Sequence, residues 1–375
     1  MRPTRAEISI DNFVSNLRFV RDRVGEDVKI MAIVKANAYG HGLDIIANAA
    51  LESTLVHSFG VATEEEGVRL RKLTSRPILV LTSALEEEID VFLANDLEFT
   101  LVERKMLDAI TARAAALGKK AKVHVKVDTG MRRIGVEPEN ALEFVRQVDA
   151  CRDTLELVGL STHYATSDEL DHRFFNKQID AFENVVRQVK GEGIDVPLVH
   201  SANSGAILQK PKETAFNMVR PGIMLYGYAP SQELDDIYRY QLRPPLELSS
   251  CIVYKKRVKR GEGVSYNHRW HSDKDTTIVT VPYGYGDGYP RLLTNRACVT
   301  INGKAYNVVG TICMDQVMID VGDDDINIGD KAVFISRDPN SFSAWHLAKT
   351  IGTIPYEILT SIAARVPRLL AAEKV

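Results

Sequence analysis

No stretch of this 375-residue chain is apolar for long enough to span a bilayer as a helix, so a helical membrane protein is not expected. Charge of one sign is also missing. The net charge is −3, and no basic face or tail accumulates, which argues against a nucleic-acid or anionic-membrane partner. Cysteine is scarce: Cys151, Cys251, Cys298 and Cys313 lie scattered with no CxxC pair, so neither a disulfide framework nor a zinc-thiolate site is expected. His124, His163, His172 and His200 lack ligand spacing on any one element, and no metal is expected. The first residues, Met1-Arg2-Pro3-Thr4-Arg5-Ala6-Glu7, hold no apolar segment of the signal-peptide kind. Internal repeats and low-complexity segments are absent. The expectation is a cytoplasmic protein that acts on a small molecule.

What is present is an ordinary globular composition, 45% hydrophobic and 26% charged, in a chain too long for one core. The first 230 or so residues alternate short apolar runs with amphipathic ones. Strands are predicted at 28–35, 58–62, 78–82, 97–102, 121–128, 157–163, 198–201 and 219–226. Helices are predicted between most of them, at 64–73, 104–117 and 168–190 for example. Another precedes the first strand, over 11–24, with Asp11 as N-cap and Gly25 as stop. Repeated strand-then-helix units of this number imply a parallel (β/α)₈ barrel of the TIM type. Past residue 240 the texture becomes strand-rich, with predicted strands at 246–260, 276–282, 296–301, 304–309, 316–321 and 331–335. Two late helices, 344–351 and 356–365, interrupt it. Asn302-Gly303 between two strands is a two-residue hairpin signal. The predicted division is a cofactor-binding barrel over 1–240 and a predominantly β-strand domain over 241–375, with Arg243-Pro244-Pro245 as linker.

A barrel places functional residues at its strand C-termini. Lys35 closes the apolar run Ile30–Val34 there, and desolvation at such a place lowers an amine's pKa. A neutral amine forms Schiff bases with carbonyl compounds, pyridoxal 5′-phosphate (PLP) among them. The segment 126–133, His163, the run Ser201–Gly205 and the run Arg220–Ile223 fall at the same mouth. The loops after the seventh and eighth strands commonly bind phosphate through backbone N–H groups, and Ser204-Gly205 and Gly222-Ile223 suit that role.

These residues carry a family resemblance over essentially the whole chain. The segments are Val34–Gly42, Asp128–Gly135, Arg220–Gly227, Val264-Ser265-Tyr266, Gly284–Pro290, Gly310–Gln316 and Ile354–Glu357. Together they resemble alanine racemase, the fold-type III PLP enzymes that interconvert L- and D-alanine. The resemblance implies that Lys35 carries the cofactor and acts as one catalytic base. It implies that Tyr266, supplied by the partner subunit of a homodimer, is the other. Tyr39, Ser204, Gly222, Ile223 and Tyr356 would hold the phosphate. Arg220 would face the pyridine nitrogen, and His163 would link Arg220 to Tyr266. Arg133 and the backbone N–H of Met314 would meet the substrate carboxylate. Lys126 matches a position that the family often carboxylates. Two bases on opposite faces of Cα are what racemisation requires. An arginine at the pyridine nitrogen stays protonated, so it leaves that nitrogen bare. The implied role is supply of D-alanine for peptidoglycan. Two departures stand out: Asn267–His271 is bulkier than in many members, and Arg132 replaces a glycine. Alternatives are a broad-specificity or serine racemase of the same fold, or a barrel PLP decarboxylase. The decarboxylases place a glutamate where this chain has Arg220.

Overall fold

The computed structural model describes residues 3–372. Eight parallel strands form the barrel: β2 (Lys29–Ile33), β3 (Ser58–Val61), β4 (Ile78–Val80), β5 (Phe99–Leu101), β6 (Ala121–Lys126), β7 (Leu155–Ser161), β8 (Leu198–His200) and β9 (Met218–Val219). Their order is β4-β3-β2-β9-β8-β7-β6-β5, and a parallel bridge between Leu79 and Glu98 joins the two ends. The strands are short and mostly apolar, though β6 and β8 carry His124, Lys126 and His200. β3, β4 and β5 are buried throughout, as expected where helices cover the outside and side chains fill the inside.

Several predicted bounds shift for local reasons. The first barrel helix runs Ile10–Val24, and its cap is Ser9, whose hydroxyl accepts from Asn12 N at 3.3 Å; Asp11 lies in the first turn. Gly25 does end it, at φ 87°. The predicted strand 219–226 shrinks to β9, because Pro221-Gly222 breaks it. Ile223–Tyr226 is then a 3₁₀ turn closed by Gly227. Gly227 is required there: a Cβ would stand 2.2 Å from Pro244 Cα. The helix predicted from 168 begins at Arg173, so 168–172 forms a loop at the barrel mouth.

The second unit is a nine-stranded sheet. Its strands are β1 (Arg5–Ile8), β10 (Leu246–Cys251), β11 (Tyr254–Val258), β14 (Thr276–Val281), β15 (Cys298–Ile301), β16 (Lys304–Val309), β17 (Val317–Gly322), β18 (Lys331–Ile335) and β19 (Arg368–Leu370). The ribbon β12 (Gly263–Val264) and β13 (Trp270–His271) stands apart from it. β1 pairs antiparallel with β10 and parallel with β19, so both ends of the described chain are woven into this sheet. The single strand predicted over 246–260 is two, β10 and β11. The chain changes partners at Ile252-Val253, from β18 to β14. The Asn302-Gly303 hairpin forms as expected, with both residues at positive φ between β15 and β16. The last helices run Ala344–Ile351 and Pro355–Thr360, the second shorter than predicted and opened by its proline.

Candidate active site

Lys35 does not end β2; the strand stops at Ile33. Val34 still donates its N–H to Gly60 O at 2.9 Å, and Lys35 then opens a turn in which Ala36, Asn37, Ala38 and Tyr39 all have φ of 50–54°. Left-handed backbone costs an L-residue roughly 1–2 kcal/mol each, so this turn needs outside support. Glu66 supplies it. One carboxylate oxygen accepts from Ala36 N at 2.6 Å and the other from Ala62 N at 2.9 Å. Asn37 Oδ1 accepts from Leu43 N at 2.9 Å. The turn swings Lys35 and Tyr39 into one cavity of about 540 Å³ at the C-terminal mouth of the barrel. Burial, then repulsion from Arg133, lowers the Lys35 pKa, against a weaker pull from Glu66.

One wall of the cavity is a nest of donors. Ser204 Oγ accepts from Gly222 N at 3.0 Å, and Ile223 N opens the 3₁₀ turn and has no partner within it. Tyr39 and Tyr356 converge on this wall with ring centroids 5.9 Å apart. Burial holds both phenols well above their ordinary range, so both remain donors. No hydroxyl bond of either to protein occurs among the described residues. The glycine at 222 is a steric need, since a Cβ there would lie 2.7 Å from the Tyr39 oxygen.

Arg220 crosses the cavity floor. Its Nη1 donates to His200 Nδ1 at 2.6 Å and His200 O at 2.7 Å. Its Nη2 donates to Thr162 O at 2.6 Å and Ser201 O at 3.0 Å, with His163 Nδ1 at 3.4 Å. Nε–H is the guanidinium donor left without a protein partner among the described residues. Burial pushes the Arg220 pKa down to about 10, so it stays charged at neutral pH. His163 is held well below its ordinary pKa by burial and by the neighbouring cations Arg220, Arg133 and Lys126. Lys126, 7% exposed, donates to Ile134 O at 2.6 Å and is pushed down to about 8 by burial, then by Arg220 and Arg133. Arg133 lines the same space with no hydrogen-bond partner among the described residues. Asp168 is the one carboxylate among the described lining residues, against Lys35, Lys126, Arg133 and Arg220.

Ten of the predicted site residues thus share one cavity. Tyr266 and Met314 do not. Tyr266 sits at the tip of the β12–β13 ribbon, 68% exposed, and Met314 is 53% exposed. The two segments are tied together: Thr311 Oγ1 donates to Tyr266 O at 2.8 Å, and Ser265 Oγ donates to Thr311 O at 2.6 Å. Three groups that the sequence reading left out belong to the site's support. Glu66 holds the lysine turn. His200 on β8 and His124 on β6, set aside as unfit to bind metal, bond to each other across β7, and His200 accepts from Arg220.

The donor set fits PLP. A wall of hydroxyl and backbone donors, with the Tyr39 and Tyr356 hydroxyls and Ile223 N–H unpartnered among the described residues, matches a phosphate. A desolvated lysine matches an aldehyde, and a single free N–H on a fixed guanidinium matches a pyridine nitrogen. A buried lysine on the turn after the first barrel strand, in one cavity with a phosphate-type donor wall at a (β/α)₈ mouth, defines a barrel-type PLP enzyme.

The chain belongs to the alanine racemase family. Residues 8–230 match the model of the alanine racemase N-terminal domain, and residues 246–370 match that of the C-terminal domain. An alanine racemase of Treponema denticola is 39% identical over the full length of both chains. The crystal structure of alanine racemase from a D-cycloserine-producing Streptomyces lavendulae superposes with a TM-score of 0.93 at 35% identity, covering 100% of this chain and 98% of that one. The Bacillus anthracis alanine racemase solved with bound L-Ala-P gives 0.90 at 35% identity, covering 98% and 94%.

Proposed function

We infer that this protein is a PLP-dependent alanine racemase that interconverts L- and D-alanine and supplies D-alanine for peptidoglycan. The observation that carries the reading is the cavity itself, where Lys35, the phosphate nest and the Arg220 Nε–H face one another. When bound, the cofactor supplies the electron sink that makes the substrate Cα–H acidic. Tyr39, Ser204, Gly222, Ile223 and Tyr356 hold its phosphate. Lys35 would carry the covalent link to the cofactor, and its free amine would hold or return a proton at one face of Cα. Its lowered pKa makes it available as a neutral base. Arg133 and Met314 N–H receive the substrate carboxylate. Arg220, permanently a donor, keeps the pyridine nitrogen unprotonated, which restrains the sink and favours return of the proton to Cα. That restraint sets this site apart from a decarboxylase.

The second base is Tyr266 of the partner subunit in a homodimer with shared sites. Its support is that Tyr266 and Met314, both given to the site by the family resemblance, stand together on an exposed face outside the cavity that holds Lys35. Because Arg220 can only donate, His163 Nδ1 accepts and its proton lies on Nε2, which is then the nitrogen able to reach Tyr266 of the partner subunit. A carbamate on Lys126 would give Arg133 the anion it lacks, and the depressed amine pKa favours that reaction. We place the barrel unit within 1–240 and the β-strand unit in 241–375, with the exception that β1 (Arg5–Ile8) joins the sheet of the second unit. No helix among the described residues is long and apolar enough to cross a membrane; a cytoplasmic location is part of the proposal. Borohydride reduction of the purified protein tests the reading. The expected result is loss of the cofactor's visible band, a label on the peptide holding Lys35, and loss of D-alanine formation from L-alanine. A label elsewhere, or full activity after reduction, overturns it.

A further inference from the structure

Arg220 does not stand alone beneath the cavity. His200 Nε2 lies 2.9 Å from His124 Nδ1, and His124 Nε2 lies 2.9 Å from Glu98 Oε2. His200, His124 and Glu98 are 1%, 0% and 3% exposed, so the whole chain of contacts runs through the dry interior of the barrel. The fold makes room for it. A Cβ on Gly159 of β7 would stand 2.2 Å from His124 Nδ1. Glu98 is anchored at the seam that joins the barrel ends, donating its N–H to Ile78 O at 2.8 Å and accepting from Val80 N at 3.1 Å.

The protons along this chain have one consistent order. A guanidinium only donates, so His200 Nδ1 must accept, and a neutral His200 then carries its proton on Nε2. That proton points at His124 Nδ1, which must accept in turn. The His124 proton therefore sits on Nε2 and points at the Glu98 carboxylate, which can only accept when ionised. Burial and then the charge of Arg220 hold His200 well below its ordinary pKa, in keeping with the neutral ring. The titratable neighbours of Glu98 beyond this line of bonds are Arg71 and His57, the latter pushed toward its neutral form by burial.

We propose that Glu98 and His124 are positioning residues for the reaction: through His200 they fix the acceptor that orients Arg220, and so hold its one free N–H toward the cofactor ring. The proposal rests on the placement of Arg220 at the pyridine nitrogen argued above. Without the relay, His200 is free to turn its proton onto Nδ1, where it meets the guanidinium donor and displaces it. The pyridine nitrogen then gains a proton more readily, and more turnovers end in transamination. In that side reaction the substrate proton moves to the cofactor, water hydrolyses the link, alanine leaves oxidised as pyruvate, and the cofactor keeps the amino group as pyridoxamine phosphate.

The test uses the holoenzyme and three variants, Glu98→Leu, His124→Phe and Glu98→Gln. The first two break the relay; the third keeps an acceptor oxygen for His124. The expected result for Glu98→Leu and His124→Phe is a kcat lowered about tenfold with KM for alanine held within about twofold, the scale of one charge-assisted hydrogen bond. Pyridoxamine phosphate formed per turnover should rise several-fold. Glu98→Gln should restore both values to near wild type. Independently, ¹⁵N-histidine NMR of the wild-type holoenzyme should show His124 and His200 neutral with the proton on Nε2. That measurement decides the matter if a relay-breaking variant does not fold. A proton on Nδ1 of His200, or folded Glu98→Leu or His124→Phe with unchanged kcat and transamination, overturns the proposal. A wild-type protein that neither binds PLP nor racemises alanine overturns the functional reading instead.

Discussion

The barrel mouth and the tip of the β12–β13 ribbon both carry backbone that L-residues avoid, and they use it differently. At the mouth, four successive left-handed residues, Ala36 to Tyr39, are clamped by Glu66 and deliver Lys35 and Tyr39 into an enclosed cavity. At the ribbon, Ser265, Asn267 and His268 also have positive φ, with Thr311 bracing the turn, yet Tyr266 and the nearby Met314 face outward. Strain of this kind persists where the surroundings over-determine it, commonly at functional sites. In the barrel its use is visible within the chain. In the ribbon it shapes an exposed face, the one the proposed reading gives to a partner subunit. The comparison teaches where that reading divides the catalytic apparatus: ten candidate site residues share one cavity within a chain, and Tyr266, the proposed second base, stands outside it.

The comparison can be broken or sharpened by substitution. Lys35→Ala should carry the largest effect, a loss of about a thousandfold or more in both directions of racemisation, since it removes a base and the covalent link together. Chiral analysis of the product checks it, with circular dichroism to show that the fold is kept. Tyr266→Phe should cost about 10²–10⁴-fold, the range for one general acid or base. It should also leave an asymmetry: solvent deuterium should still enter Cα from one enantiomer, the one whose proton Lys35 takes, and not from the other. Equal washout from both enantiomers would remove Tyr266 as a base. Gly222→Ala affects the mouth alone. The new Cβ, 2.7 Å from the Tyr39 oxygen, should weaken PLP binding about tenfold, the scale of one lost or displaced hydrogen bond, as read by fluorescence titration of the apoenzyme.

The smallest effect concerns stability. Lys126 is pushed down from 10.5 to about 8, so across that window the unfolded chain holds a proton that the folded chain has released. Stability therefore rises with pH between about 8 and 10.5 from this group, and it is lowest below about 8, where the buried ammonium must be kept charged. In carbonate-free buffer, Lys126→Met should raise the thermal midpoint at pH 7 and flatten its rise toward pH 10. Paired melts at the two pH values check the sign.

Much of the barrel was readable because a parallel strand buried on both faces writes itself as an unbroken apolar run. The same property misled at 219–226. A continuous apolar stretch does not tell strand from turn, and Pro221-Gly222 divides it. Ser9 was missed as a cap because Asp11 also satisfies the pattern two positions on. β1 escaped because four alternating residues, Arg5-Ala6-Glu7-Ile8, are too few to separate from chance. The lysine turn could not be foreseen: nothing in Ala36-Asn37-Ala38-Tyr39 asks for left-handed backbone, and the demand comes from Glu66, far off in sequence. Lysine and phosphate positions were legible through short local motifs, such as Lys35–Tyr39, Ser204-Gly205 and Gly222-Ile223, each contained in a single loop. The Glu98–His124–His200 line was not, because its members lie far apart in sequence on separate segments of the barrel and only the fold brings their side chains together.

Subunit mixing tests the division of the site most directly. Lys35→Ala and Tyr266→Ala, each inactive alone, are combined under conditions that exchange subunits. A mixed dimer holds one site with both bases and one with neither. With statistical exchange half the dimers are mixed, so activity should return to about a quarter of wild type in the symmetric pair. No recovery despite demonstrated exchange would contradict the account, because Lys35 and Tyr266 would then have to act within one chain.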